Sequence, residues 1–179
     1  KPKVETTMVL RESAKPRRTY LHIKGDFTRD GGDVKAHFPA ILHASKSAPD
    51  REPNRLDLAR WLVDDANPLT ARVIVNRVWH HLFGRGLVPS VDNLGVLGQP
   101  PSHRELLDYL ALRLRSGGWS LKALVREIVL SRAYGLASTL DPMAHEADPD
   151  NTLYWRHEPR RMDAESLRDA MLSVSGLLE

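Results

Sequence analysis

The chain of 179 residues contains no cysteine. That absence removes disulfides, thiolate zinc sites, cysteine nucleophiles and covalently attached c-type haem. It leaves the compartment open, because a core of this size needs no staples. No apolar run approaches the roughly 20 residues of a membrane helix, so no membrane span is expected. No signal peptide precedes the first periodic segment, and the chain begins with Lys1-Pro2-Lys3. A helical pattern still runs at Leu177-Leu178-Glu179. Both ends lead us to expect a piece of a larger protein.

Other chemistry is missing too. The eight histidines show no zinc-protease spacing. His37 and His43 lie in a loop-like region, and His80 and His81 are adjacent on a helix, pointing roughly 100° apart. His145, Glu146, Asp148 and Asp150 lack the glycine and closing glutamate of an EF-hand loop. Gly84-Arg85-Gly86 follows no strand and has no third glycine, so it is not a dinucleotide fingerprint. No Gly-x-Ser-x-Gly elbow occurs. Asp92, Glu105, Asp163, Glu165 and Asp169 could supply a carboxylate pair, but the sequence pairs none of them across a cleft. We expect Glu165, Arg168 and Asp169 to form ion pairs on a helix surface. No cofactor and no metal is expected.

What is present is charge, helix periodicity and clear punctuation. Hydrophobic residues are 41% and charged residues 27%, as in folded domains. The net charge of +3 is uneven. Residues 1–46 hold ten Lys/Arg against five Asp/Glu, and residues 47–179 hold sixteen against eighteen. The basic excess belongs to the front, where lysines guard a strand edge or meet an anionic partner.

Thr6–Arg11 and Thr19–Lys24 read as two antiparallel strands joined through Glu12–Arg17. Such a ribbon is marginal alone. Residues 25–53, rich in Gly and Pro, read as a long wrapping connection. Helices then follow. Asn54 caps the first, with Leu56, Ala59, Leu62 and Val63 as its helical stripe. Asn67-Pro68 starts a second helix from Leu69 to Phe83, closed by Gly84. Ser102 and Glu105 form a capping-box pattern for a third, carrying Leu106, Leu107, Leu110 and Leu114. Ser120 starts a fourth with Leu121, Leu124, Val125, Ile128 and Val129. Residues 138–152 read as a polar linker. Asp163 caps a last helix, with Ala164, Leu167, Met171 and Val174 facing inward. The expected fold is mainly α: a compact bundle of about five helices with an N-terminal two-stranded β arm and long wrapping loops. The arm and connection occupy 1–50 and the helical domain 51–179.

Segment 69–83 carries the most information. Ala71, Ile74, Val75, Val78, Trp79 and Leu82 share one broad face, while Leu69, Val73 and Phe83 lie apart. Thr70, Arg77 and His81 form one polar strip, and Arg72, Asn76 and His80 another. A helix apolar on two sides belongs in the interior, with one strip solvated and the other enclosed. An enclosed arginine needs a carboxylate or carbonyls. Arg72, Asn76, Arg77, His80, Arg85, Arg160 and Arg161 are therefore the candidate site. They form either an anion-binding site or a structural polar seam, and the seam is favoured because internal polar groups mostly serve hydrogen bonding.

Several blocks carry a family resemblance. They are Asn54-Arg-Leu-Asp-Leu-Ala-Arg-Trp-Leu-Val63, Asn67-Pro-Leu-Thr-Ala-Arg-Val-Ile-Val-Asn-Arg-Val-Trp79, Phe83-Gly-Arg-Gly-Leu87, Gly118-Trp-Ser-Leu-Lys-Ala-Leu124 and Arg160-Arg-Met-Asp-Ala-Glu165. Together they resemble the planctomycete PSD family, domain of unknown function fifteen fifty-three. The resemblance implies the carboxy-terminal part of a large exported bacterial protein, periplasmic or at the cell surface, often with a cytochrome-c-like domain upstream. It carries over no catalytic residue. Where the resemblance implies Thr-Tyr-Arg, this chain reads Arg132-Ala-Tyr-Gly135, without the basic residue at position 135.

Two function classes remain. One is a non-catalytic scaffold or interaction module whose partners are neighbouring domains of the parent protein. The other is a binding or hydrolytic domain for an anionic ligand such as an acidic or sulfated saccharide. Nucleic-acid binding through the basic arm ranks third, for want of a helix-turn-helix or aromatic platform.

Overall fold

A computed structural model describes residues 7–13, 17–42 and 51–178. The chain divides into two units, residues 1–70 and 71–179. The first carries a ribbon of β1 (Thr19–His22) and β2 (Asp30–Val34). They pair antiparallel, Thr19 with Val34 and His22 with Asp30, with one irregularity between Tyr20 and His22. This corrects the expected partner. Residues 7–11 form no strand, and Thr6 and residues 14–16 of the expected turn lie outside the described residues. The strand pairs forward instead, into the supposed connection. A short reversal exists there: a 3₁₀ turn over Ile23–Gly25, then Asp26, whose carboxylate accepts from the Thr28 N–H and hydroxyl. Those two bonds hold the Asp26 pKa below the usual carboxylate range. Gly31 makes the pairing possible, because a Cβ there would come within 2.9 Å of the Leu21 carbonyl oxygen.

The first unit ends with α1 (Arg55–Leu62). Asn54 and Asp57 cap it reciprocally: Asn54 Oδ1 accepts from the Asp57 N–H at 3.0 Å, and Asp57 accepts from the Asn54 N–H at 2.8 Å. Asn54→Ala should lower stability by about 1 kcal/mol, read as a drop in the urea midpoint at unchanged m. The apolar stripe of this helix faces outward. Leu56, Ala59, Leu62 and Val63 are all exposed, and Trp61 is the buried residue. Its indole stacks on Phe38 at 5.5 Å and 5°. That stacked pair buries the large aromatic surface of Trp61.

Asn67 is buried and starts α2 (Thr70–Phe83). Its Oδ1 accepts from the N–H groups of Leu69 and Thr70, and its amide donates to the Trp61 carbonyl. The second unit contains the rest of α2 with α3 (Arg104–Ser116), α4 (Leu121–Val129), α5 (Pro142–Ala147) and α6 (Ala164–Ser175). Among the described residues no helix is long and apolar enough to cross a membrane. The architecture is mainly α with an N-terminal β arm.

The core of this unit gathers Ala71, Val75, Trp79 and Phe83 from α2. Against them pack Leu107, Leu110 and Leu114 from α3 and Leu124 and Ile128 from α4, with Leu87 and Val88 from the following loop. The α2 register differs from the apolar pattern: Phe83 and Asn76 are buried. The enclosed arc lies roughly 60° around from the face that apolarity marks. Trp79 and Phe83 stack one turn apart at 4.2 Å, which draws that side inward.

Three further expectations are corrected. Ser102 is not the cap of α3; His103 holds that position without a side-chain bond. The Ser102 hydroxyl and N–H both donate to the Leu87 carbonyl instead. The supposed linker 138–152 contains α5, capped by Asp141 with Pro142 at its first turn. Lastly, α6 is capped by Asp163 as expected, but no residue of it is buried. Leu167, Met171 and Val174 are exposed. The helix closes at Gly176, in the left-handed region, before the Leu177-Leu178 pair that sequence reads as helical.

Candidate functional site

The interior strip of α2 is enclosed and the other strip is solvated. Arg72 and His80 are half-buried and Asn76 is wholly buried, whereas Arg77 and His81 are exposed. Arg72 Nε donates to Asp108 Oδ1 at 2.6 Å, tying α2 to α3. Asn76 makes a two-way bridge to the loop after α2. Its amide donates to the Val88 carbonyl at 3.0 Å, and its Oδ1 accepts from the Val88 N–H at 2.8 Å. The side chain thus replaces a backbone partner for a buried loop residue. Gly86 is required beside it, since a Cβ there would lie 2.6 Å from the Val88 carbonyl oxygen and 2.9 Å from Asn76 Oδ1.

The remaining candidates have separate surroundings. Arg77 meets Asp92 at 3.1 Å on the surface. Arg85 donates to the Asp150 carbonyl and the Thr152 hydroxyl. Arg160 lays its aliphatic stem over Gly84 and donates to the Leu82 carbonyl at 3.1 Å. It thereby satisfies one of the open carbonyls at the end of α2. Arg161 is exposed and meets no acid among the described residues. His80 Nδ1 is buried and has no hydrogen-bond partner. None of the seven lines the cleft of about 110 Å³ between α3 and α4, which is bounded by Arg113, Ser116, Ser120 and Glu127. That volume is well below the roughly 300 Å³ at which small-molecule sites begin.

Sequence reading missed an aromatic cluster at the end of α2. Tyr154 sets its ring edge-on to Trp79 at 5.4 Å and to Phe83 at 5.3 Å. Tyr134 and His157 complete it around Phe83. Burial raises the Tyr154 pKa, with the Trp79 indole N–H and the Arg85 charge opposing. The indole nitrogen lies near that hydroxyl without closing a hydrogen bond. Tyr154 has positive φ, as does Asn151, so the loop is held in a shape its residues do not prefer.

The loop is pinned by side chains. Asn151 donates to the Arg156 carbonyl and accepts from the Arg156 N–H, the same device as Asn76. The Asp148 carboxylate accepts from the N–H groups of Thr152 and Leu153. Burial disfavours its ionised form, but these bonds, the Thr152 hydroxyl and the Arg85 charge together hold its pKa below the usual range. The folded pKa is depressed, so the stabilisation is present above the unfolded value near pH 4 and is lost as pH falls below it. Trp155 Nε1 donates to the Asp148 carbonyl. Tryptophan emission should therefore report the loop loosening below about pH 4, and Asp148→Asn should shrink that acid phase. Among the described residues no group of three His, Asp or Glu side chains is placed to hold a metal ion.

The sequence pattern of PSD1, Protein of unknown function (DUF1553), matches residues 54–179. The chain belongs to the PSD1 family. No curated protein and no solved structure matches it. The PSD1 stretch opens at the capping residue of α1 and includes every candidate residue. The β ribbon precedes it.

Proposed function

We propose that this PSD1 domain is a non-catalytic scaffold or interaction module within a larger exported bacterial protein, acting on neighbouring domains of that protein. The observation that supports this most is how the candidate polar groups are used. Arg72 is neutralised by Asp108, Asn76 is consumed by Val88, and Arg85 and Arg160 end on protein oxygens. A guanidinium kept for a ligand would instead open into a concave space without an acid beside it.

The test separates stability from binding. Arg72→Ala, Asn76→Ala, Arg85→Ala and Arg160→Ala are compared by thermal melting and by calorimetry against a sulfated oligosaccharide. Each is expected to lower Tm, with no saturable heat from the parent chain at millimolar ligand. Saturable binding by the parent chain, abolished in a variant whose Tm is unaltered, would replace this reading with the anionic-saccharide one.

A further inference from the structure

The stretch 138–156 is tied to itself more firmly than to the rest of its unit. Its two ends meet where the His157 N–H donates to the Ala137 carbonyl at 3.1 Å. Between them the bonds run on without a gap. Asp141 accepts from the N–H groups of Met143 and Ala144 at the start of α5. Asp148 accepts from those of Thr152 and Leu153 at 2.9 and 2.8 Å. The Trp155 indole donates to the Asp148 carbonyl, and the Asn151 amide to the Arg156 carbonyl, each at 3.0 Å. Joined ends and an interior of its own side chains are the marks of an Ω-loop. The bonds outward are longer. Arg85 reaches the Asp150 carbonyl at 3.2 Å and the Thr152 hydroxyl at 3.4 Å. The Tyr154 hydroxyl lies 3.4 and 3.5 Å from the carbonyls of Arg85 and Gly86. These sit at or beyond the long edge of the usual range. No residue of α5 is buried. Among the described residues of the stretch, Tyr154 is the one apolar side chain that packs against the core.

We propose that residues 138–156 form a flap that swings as one body about the joined ends Ala137 and His157, with the Tyr154 ring as its latch. The hinge side is fixed. The His157 ring lies 5.2 Å from Tyr134 and 6.1 Å from Phe83, and just beyond it Arg160 donates to the Leu82 carbonyl. The free side is held by one ring set against Trp79, Phe83 and His103. Withdrawing that ring exposes a single large side chain and breaks the long bonds, whereas unfolding the helices gives up the whole core. Opening is therefore the cheaper step. It gives access to Trp79 and Phe83, which are 4% and 5% exposed with the flap closed. The fold thus carries an aromatic recess that the chain itself closes at rest. This device is independent of the scaffold reading, because its test reads distances within the domain and not ligand binding.

The chain has no cysteine, so pairs of thiols can be introduced for nitroxide labels and their separation read by pulsed dipolar spectroscopy. Met143→Cys with Leu112→Cys puts one label on the flap and one on α3. Met143→Cys with Leu153→Cys puts both on the flap. All three positions are exposed. Adding Tyr154→Ala is expected to widen the flap-to-α3 distance distribution at least about twofold. The distance within the flap and the far-ultraviolet dichroism should stay as in the parent. Tyr154→Phe keeps the ring and should leave both distances unaltered. Without any change at Tyr154, the flap-to-α3 distance should shift at urea concentrations below the helical unfolding transition. Unchanged flap-to-α3 distances in Tyr154→Ala, or a urea shift that coincides with helical unfolding, would overturn the proposal. Loss of the helical signal in Tyr154→Ala would do the same, because the stretch would then belong to the cooperative core. A distance within the flap that changes alongside the other, or a Tyr154→Phe chain that opens, would also end it.

Discussion

Asn76→Ala is expected to destabilise the protein by about 3 kcal/mol, seen as a fall in Tm of roughly 10 °C. The side chain is fully buried and makes two hydrogen bonds to the Val88 backbone. Alanine leaves a buried N–H and a buried C=O without partners, each costing about 1–3 kcal/mol. Water could offset part of this by entering the vacated space. Asn76→Asp is expected to do no better. A carboxylate keeps the acceptor for the Val88 N–H, but turns a second oxygen toward the Val88 carbonyl and buries a charge. Circular dichroism melts and urea titrations of both variants give the measurement. A Tm within two degrees of the parent for Asn76→Ala would mean that the bridge contributes little.

Trp79→Ala should have the larger effect, about 3–5 kcal/mol. Trp79 is 4% exposed, stacks on Phe83 at 4.2 Å and meets the Tyr154 ring at 5.4 Å. Removing it vacates the centre of the cluster to which the 148–158 loop is fastened. Trp79→Phe separates packing from hydrogen bonding. The indole N–H has no partner, so phenylalanine forfeits volume and no bond. It should cost less than half of the alanine change. Equal losses in the two variants would show that the indole nitrogen is bonded, directly or through water. Urea unfolding followed by far-ultraviolet dichroism measures both, since the signal does not depend on the tryptophan removed.

The two changes act on one helix at different levels of legibility. Asn76 stood out in the sequence because a polar residue on a helix apolar on two sides must be either a ligand group or a satisfied one. The sequence could not say which, because Val88 reaches it only after the loop folds back. Arg72 was the same case, answered by Asp108 thirty-six positions away. The aromatic cluster gave no comparable signal. Tyr134, Tyr154 and His157 lie in segments without periodicity, and they meet Phe83 only through tertiary packing.

Local physics written in neighbouring residues was determined by sequence alone. The caps at Asn54, Ser120 and Asp163 bond as their positions require, because a cap depends on groups two or three residues away. The same holds for the helical course of α2, α3 and α4 and for the missing cysteine chemistry. Tertiary structure decided what needs a partner from elsewhere. The β1 strand was legible, but not that it pairs forward with β2, since the close approach at Gly31 decides this. The stripes of α1 and α6 were legible as amphipathic, but amphipathicity records which side prefers to be covered and does not supply the cover. Whether an apolar face or a buried guanidinium is satisfied depends on side chains far along the chain, and no local pattern encodes their arrival.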